Sequence, residues 1–407
     1  MRRIRIMMRI FFVSEKGRSV QKSRLFQTVL VAAMAWGGLG VQAQAVDATA
    51  VAKHYAVLVH ANYTDTLAGA TALQQAVTAF TASPSADTLA AARKAWLAAR
   101  ETYGQTEAFR FYAGPIDDKN GPEGRLNSWP LDEAYIDSVK GKPNAGIINN
   151  PKIAITKQSL AALNERGGEE NIAAGWHAIE FLLWGQDFSA TGPGDRSFED
   201  FVDGKAPNAK RRREYLTVVT SMLVNDLTSL VKAWTPDAKN YRANFEKAGP
   251  DALRRMLVGV GSLSRGELAG ERIEVALASQ NQEDEHSCFS DNTHRDIVAN
   301  ARGIENVWLG RYVRPDGTVL QGASLRDLVA AKDAAVAERT STHVAASVQA
   351  AEAIPAPFDQ AIIGPDTAPG RIKVQAVATA LKLQSKDFVD AAQAIGIQKL
   401  TLTAKKD

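Results

Sequence analysis

The 407-residue chain contains a single cysteine, and this scarcity excludes two kinds of structure. One cysteine cannot form an intramolecular disulfide, and it cannot supply the four thiolates of a structural zinc site. The sequence also has no phosphate-binding loop, dinucleotide fingerprint or nucleophile elbow, so these motifs give no lead to an activity. Strand-like alternation of apolar and polar residues is equally scarce, and this indicates a helical protein.

An excess of positive charge is absent from most of the chain, although its formal net charge is +3. Residues 1–45 hold eight basic residues and one acid, so residues 46–407 contain 40 basic and 44 acidic side chains. This larger part therefore has a formal charge of −4. Nucleic-acid binding needs a cationic face on the folded domain, so we expect no nucleic-acid partner.

The beginning of the chain has the pattern of an export signal. A basic stretch precedes the largely apolar residues 25–41, and Ala43-Gln44-Ala45 supplies the small residues that a signal peptidase requires. We predict a signal peptide over residues 1–45, and a mature protein that is periplasmic or associated with the outer membrane. An uncleaved membrane anchor is the alternative. No later segment has about 18 uninterrupted apolar residues, so no further span is predicted.

Long Ala- and Leu-rich stretches with helical spacing make up most of the remaining sequence. Two long connections, 112–168 and 186–208, are candidate walls of a site, because compact domains seldom have loops of this length without a role. The predicted helices span residues 47–81, 86–111, 169–185, 209–234, 249–279, 293–312, 324–353 and 370–396. These helices predict an all-α fold built from bundles.

Two nine-residue segments resemble each other. HAIEFLLWG at 177–185 aligns with RGIENVWLG at 302–310, with matching isoleucine, glutamate and glycine, and chance similarity is the alternative explanation. If the segments are repeats, the protein consists of two related four-helix bundles in a pseudo-symmetric duplicated arrangement. We place these bundles at residues 46–207 and 208–407. Only the first copy has a histidine, so the chemistry would be asymmetric.

Residues 172–185 contain only two ionisable groups, His177 and Glu180. Apolar residues surround this segment on every side, which is typical of a buried helix. The two side chains are three residues apart, so they leave the same face of the helix one turn from each other. A buried carboxylate must be paired, bound to a metal or protonated, because desolvation of an unpaired charge costs several kcal/mol.

Three interpretations of this pair remain open. In the first, Glu180 is held by His177 or by an arginine such as Arg110, Arg272 or Arg302. In the second, His177 and Glu180 both bind a metal ion, iron or zinc. In the third, the two groups act as a general acid and base without metal. Neither HExxH nor HxxEH occurs in the chain. A catalytic zinc ion would therefore need a third ligand from elsewhere.

The densest supply of further ligands is the segment EDEHSCFSDNTHRD at residues 283–296. Its alternative interpretation is a solvated acidic turn that caps the following helix. The lone Cys288 is more often a small buried hydrophobe than a ligand. The weaker candidate metal ligands in this segment are Glu283, Asp284, Glu285, His286, Asp291 and His294.

Residues 175–180, GWHAIE, match the GxHxxE motif of the imelysin family. Residues 109–137 and 271–297 resemble the subgroup called iron-regulated protein A, or imelysin-like proteins. The resemblance implies two related four-helix bundles with a site between them, and His177 and Glu180 as the site pair. It also implies an exported bacterial protein linked to iron regulation or uptake. The family is in addition classed among the metallopeptidases.

Two functional hypotheses follow from the pair and the resemblance. The first is an exported protein that binds iron, another metal or an iron-containing ligand between the bundles, with a protein partner in iron uptake. The second is a zinc-dependent peptidase in which His177 and Glu180 are catalytic and bind zinc, residues 283–296 supply a third ligand, and a bound water of pKa about 7 is the nucleophile. We favour binding. A structural, partner-binding protein is a third class.

Overall fold

The structure, a computed structural model, describes residues 47–402, so the predicted signal peptide lies outside the described residues. Nearly all regular structure in this range is helical, which confirms the all-α prediction. The helices of the first half are α1 (Ala48–Ala82), α2 (Ala86–Thr106), α3 (Glu123–Leu126), α4 (Glu133–Ile136), α5 (Gly146–Asn149), α6 (Lys157–Leu163), α7 (Trp176–Trp184) and α8 (Ala209–Trp234).

The second half continues with helices and one short hairpin. Its helices are α9 (Tyr241–Phe245), α10 (Pro250–Ser262), α11 (Val275–Ser279), α12 (Thr293–Leu309), α13 (Leu325–Ala330), α14 (Ala334–Glu352), α15 (Phe358–Ile362) and α16 (Pro369–Ala394). A π-helical segment, Leu263–Glu274, joins α10 to α11. Strands β1 (Arg311–Val313) and β2 (Val319–Gln321) pair antiparallel, with Tyr312 opposite Leu320. No helix within residues 47–402 is long and apolar enough to cross a membrane.

The long helices pack in two groups. Helix α1 pairs with α2 and with α8, while α14 and the π-helical segment pack on α16. Helix α12 contacts both α2 and α14, and so connects the groups. Helix α8, which begins just after the predicted division near residue 207, packs along α1 on the other side of that division. The duplicated bundle arrangement and its boundary stay predictions.

Glycines allow α2 and α12 to approach closely. A Cβ atom on Gly303 of α12 would lie 2.3 Å from the carbonyl oxygen of Gln105, and one on Gly104 would lie 2.6 Å from the Cβ of Ala299. Neither position has space for a side chain. This approach brings the polar residues at the start of α12 against the middle of α2.

Several predicted helices differ from the structure, and the helix predicted at 86–111 ends at Thr106. The helix predicted at 169–185 begins only at Trp176, because Gly175 has a φ of +94° and its backbone packs against the carbonyl oxygen of Leu126. The helix predicted at 293–312 ends at Leu309, where Gly310 adopts a left-handed conformation and the chain enters β1. The helix predicted at 324–353 is interrupted after α13, and the Asp333 side chain caps the start of α14.

Candidate histidine and carboxylate site

Helix α7 is buried along its whole length, including its two ionisable side chains. The His177 and Glu180 side chains are 1% and 0% exposed. His177 Nδ1 lies 2.8 Å from Glu180 Oε2, so the predicted same-face pair is a direct hydrogen bond. Burial lowers the pKa of His177 well below its ordinary value and raises the pKa of Glu180 to about 8.

The second oxygen of Glu180 is also occupied. Glu180 Oε1 accepts hydrogen bonds from the backbone N–H of Ser290, at 3.0 Å, and from the Ser290 hydroxyl, at 2.7 Å. The three arginines considered as partners of this carboxylate bind other acids: Arg110 and Arg272 contact Glu107, and Arg302 contacts Glu305 and Glu352. Glu180 is therefore held by His177 and by the 283–296 segment.

That segment also places a second histidine against the first. His286 Nε2 lies 3.2 Å from His177 Nε2, and the two rings are 4.7 Å apart. On its other side, His286 Nδ1 lies 3.4 Å from Asp296 Oδ2. Burial lowers the pKa of His286 well below its ordinary value, so both imidazoles are neutral. Each ring thus has a carboxylate at Nδ1 and presents Nε2 to the other ring.

Asp296 is fixed by a buried arginine from α2. Arg100 donates from Nε to Asp296 Oδ1 over 3.1 Å and from Nη1 to Asn127 Oδ1 over 2.7 Å. The Asn127 side-chain nitrogen then faces His286 Nε2 at 3.4 Å. The Trp129 ring centroid lies 5.9 Å from that of His286. The connection at residues 112–168 therefore forms one wall of the site, as the sequence indicates.

Aromatic rings surround the Arg100 guanidinium group. Its central carbon lies 5.3 to 5.8 Å from the ring centroids of Trp96, Tyr103 and Trp176. A cation over aromatic faces is favourable in a site without water. The positive charge of Arg100 also contributes, after burial, to the low pKa of His177. Arg100 thus holds Asp296 in place and disfavours protonation of the imidazole nearby.

The six weaker candidates lie in different surroundings. Of these six candidates, His286 is the one that contacts His177 within the described part of the chain. Glu283 is exposed and Asp284 is half-buried. Glu285 is buried, but it interacts with Asp359 and Asp291 rather than with the histidines. His294 donates from Nδ1 to the carbonyl oxygen of Asp291 at 3.1 Å.

The donor set fits part of a metal site. Within residues 47–402, no three His, Cys, Asp or Glu side chains form a ligand group for one ion. The two Nε2 atoms nevertheless have suitable spacing, because ligands at roughly 2.0–2.1 Å around a tetrahedral ion are about 3.3 Å apart. Carboxylates at Nδ1 are also the usual support of metal-binding histidines. The imidazoles fit two ligand positions, and the remaining ones need solvent or a bound ligand.

Four further residues belong to the candidate site: Arg100, Asn127, Ser290 and Asp296. Ser290 and Asp296 belong to the 283–296 segment, whose density of polar residues is the available signal. Arg100 gives a weaker signal, because its spacing with Tyr103 and Glu107 predicts a polar stripe that could face a cleft, and Asn127 gives none, since a single asparagine in a loop is usually solvated. Their roles depend on the packing of α2 against α12.

The fold and the site define an all-α protein in which α7 and the segment before α12 bring two buried histidines together. The chain belongs to the imelysin family, whose model matches residues 59–388. The GxHxxE motif coincides with the beginning of α7, so the segment that carries the resemblance also carries the buried pair.

Relatives agree with this assignment. The chain is 29% identical over 330 residues to iron-regulated protein A of Synechococcus elongatus, covering 79% of this chain and 78% of that protein. Its fold resembles the crystal structure of an iron-regulated protein A precursor from Parabacteroides distasonis, with a TM-score of 0.66 and 21% identity over 88% of this chain and 97% of the other. The crystal structure of an imelysin-like protein from Psychrobacter arcticum matches with a TM-score of 0.59 and 16% identity, over 85% of this chain and 96% of the other.

Proposed function

We propose that this protein is an exported metal-binding protein of iron homeostasis that binds a first-row transition metal, iron or zinc, through His177 and His286. The observation that carries the proposal is the 3.2 Å separation of the two Nε2 atoms, each on a neutral imidazole supported by a carboxylate. The name iron-regulated protein A, which two of its relatives have, favours iron.

The surrounding residues orient the two rings. Glu180 holds His177 Nδ1 by a hydrogen bond, whereas Asp296 lies 3.4 Å from His286 Nδ1, which has no hydrogen bond within the described residues; the two Nε2 atoms face each other. His286 Nε2 faces the donor amide of Asn127 at 3.4 Å as well as His177 Nε2, and a metal ion about 2.0 Å from both Nε2 atoms would lie to one side of the line that joins them. Ser290 and Arg100 fix the two carboxylates in turn. A bound metal ion would accept both lone pairs and leave further positions for a ligand.

The peptidase alternative has less support from the geometry. A zinc peptidase needs a carboxylate base beside the bound water, as in the HExxH arrangement. Both oxygens of Glu180 are already hydrogen-bonded, to His177 and to Ser290. Asp296 is likewise occupied by Arg100 and Ser287. Neither carboxylate is free to act as a base, so we favour binding over hydrolysis.

Metal titration of the purified protein tests this function. We expect one ferrous or zinc ion per chain, with an affinity that falls at least about tenfold in His177→Ala and in His286→Ala. His294→Ala is the matched control, because His294 belongs to the same segment and donates to a backbone carbonyl. Circular dichroism verifies that the variants keep their helices. Equal uptake by the wild type and both site variants would refute the proposal.

Export is tested separately, by mass spectrometry of the protein recovered from the cell envelope. We expect an amino terminus at Val46, the residue after the predicted cleavage point. Replacing Ala43 and Ala45 by bulky residues should leave the uncleaved chain, because signal peptidases require small residues there. Mature protein that keeps residues 1–45 would contradict cleavage and favour the membrane anchor.

A further inference from the structure

A surface cavity of about 420 Å³ lies beside the loop that follows α7. Three carboxylates line it: Asp187, Glu283 and Asp359. Most of the remaining polar wall consists of carboxamide side chains, among them Gln282, whose amide nitrogen donates to the Asp187 carbonyl oxygen at 2.8 Å. The cavity is therefore acidic, and it does not include the histidine pair.

The carboxylates of this region are short of partners. Asp359 is 5% exposed, and its Oδ1 has no hydrogen bond within the described residues. Behind the wall of the cavity, Glu285 is 1% exposed, and Thr293 is its side-chain hydrogen-bonding neighbour. Burial and the nearby charges of Asp359 and Asp291 raise the pKa of Glu285 to about 9. A pKa that neighbouring acids raise indicates a negative potential at this place, and a cation in the cavity would relieve it.

Apolar side chains complete the cavity. Phe188 and Ile363 line it, and they are 68% and 50% exposed. The Lys140 ammonium group lies 5.0 Å from the centroid of the Phe188 ring. The ring therefore already attracts one organic cation of this chain, by a cation–π interaction. An exposed aromatic side chain beside acids that have no cationic partner in the cavity wall is suited to a ligand that is both cationic and apolar.

We propose that this cavity binds an organic cation, an ammonium or guanidinium group carried on an apolar stem. The charged group would be attracted by Asp187 and Asp359, and the stem would contact Phe188 and Ile363. A single inorganic ion fits less well, because no three acids within residues 47–402 are positioned to ligate one, and because the cavity is much larger than an ion. The proposal is independent of metal binding by the histidines.

Calorimetric titration of the intact protein with n-butylguanidinium chloride tests the proposal. Neutral n-butanol is the probe for the stem alone, and calcium chloride is the probe for the metal alone. We expect saturable binding of the guanidinium compound that weakens at high salt, and no binding of butanol. Asp359→Asn and Asp187→Asn should each weaken binding about tenfold, and Phe188→Ala about threefold.

Asp237→Asn is the matched control, since it removes the same charge from an exposed position outside the cavity, and it should leave binding unchanged. Circular dichroism identifies any variant that fails to fold, and because Asp187 and Asp359 come from different segments, one folded variant suffices. The proposal is overturned if butanol binds as well as butylguanidinium, if calcium binds in its place, or if the folded cavity variants bind like the control.

Discussion

His177 and His286 are 109 residues apart in the chain, yet their Nε2 atoms are 3.2 Å apart. The bond from Ser290 to Glu180 connects the same two segments a second time. The site therefore requires α7 and the segment before α12 together, and neither holds it alone. Motifs on α7 identify only half of the arrangement.

Glu180→Gln should lower metal affinity about 10- to 100-fold and leave the fold intact. With its pKa raised to about 8, Glu180 accepts from both His177 and Ser290 only in the ionised form that metal binding favours, and a glutamine amide cannot do so because one of its ends is a donor. The imidazole would then accept at Nδ1 and carry its proton on Nε2, where the metal should bind. Metal titration measures the effect. Glu283→Gln, at an exposed position, is the control, and equal affinities in the two variants would show that Glu180 does not orient the ring.

Two arginines that connect α2 with α12 allow a comparison of buried and exposed ion pairs. Arg100 and Asp296 are almost fully buried, whereas Arg295 and Glu101 are about two-fifths exposed. Arg100→Gln should reduce the free energy of unfolding by about 3–5 kcal/mol, because it leaves Asp296 buried and unpaired. Arg295→Gln should reduce the free energy of unfolding by about 1 kcal/mol or less, because its ion pair is exposed to solvent.

Urea unfolding of both variants measures the difference. If the two substitutions cost the same, the buried pair has no special role in holding α12. A loss of metal affinity in Arg100→Gln alone would further indicate that Asp296 needs its arginine in order to support His286.

The fold could be predicted from helical spacing where a helix is long and half-exposed. The prediction of residues 209–234 coincides with α8, Ala209–Trp234, because its apolar positions recur along one face. Spacing fails at α7, where every residue is apolar or buried and only the conformation of Gly175 sets the start. It also fails at Gly310, where a left-handed residue ends α12 and a hairpin follows.

The site could be predicted in part, for a related reason. His177 and Glu180 are conspicuous because they are alone in an apolar segment, so their burial on one face of a helix follows from the sequence, whereas their mutual contact is one of the three interpretations that the sequence leaves open. His286 is one of several polar residues at 283–296, and nothing local distinguishes it from Glu285, one residue earlier. The difference arises from packing: His286 points to α7, whereas Glu285 interacts with Asp359 near α15.

Acid should destabilise the protein through Asp137. This fully buried carboxylate accepts from Arg212 at 2.7 Å and from Arg196 at 3.0 Å, and the two arginines lower its pKa from 3.8 to about 2 despite burial. A lowered folded-state pKa means that the stabilisation is complete above the unfolded-state pKa and is lost as the pH falls toward 2. The loss amounts to about 2 kcal/mol.

The comparison of wild type with Asp137→Asn between pH 7 and pH 2 checks this dependence. The variant should be less stable at pH 7, and the difference between the proteins should shrink below about pH 4, because the unfolded wild-type chain takes up a proton at Asp137 there and the folded chain does so only near pH 2. Asp203→Asn, which removes an exposed partner of Arg213, is the control and should change little. A constant difference over the whole range would mean that Asp137 does not titrate as its partners imply.

Gly303→Ala should separate α12 from α2 and thereby weaken both stability and metal binding. The new Cβ would lie 2.3 Å from the Gln105 carbonyl oxygen, which is backbone and cannot turn aside. Overpacking of this kind lowers the free energy of unfolding by about 1–3 kcal/mol, which exceeds the stabilisation that the higher helix propensity of alanine provides. Gly192→Ala is the control, because its nearest neighbour, Ser189 Oγ, is 3.9 Å away. Thermal unfolding should show lower stability, and metal titration lower affinity, in Gly303→Ala alone, because Asp296 moves with α12. An unchanged metal affinity in a destabilised variant would show that the site tolerates a displaced helix.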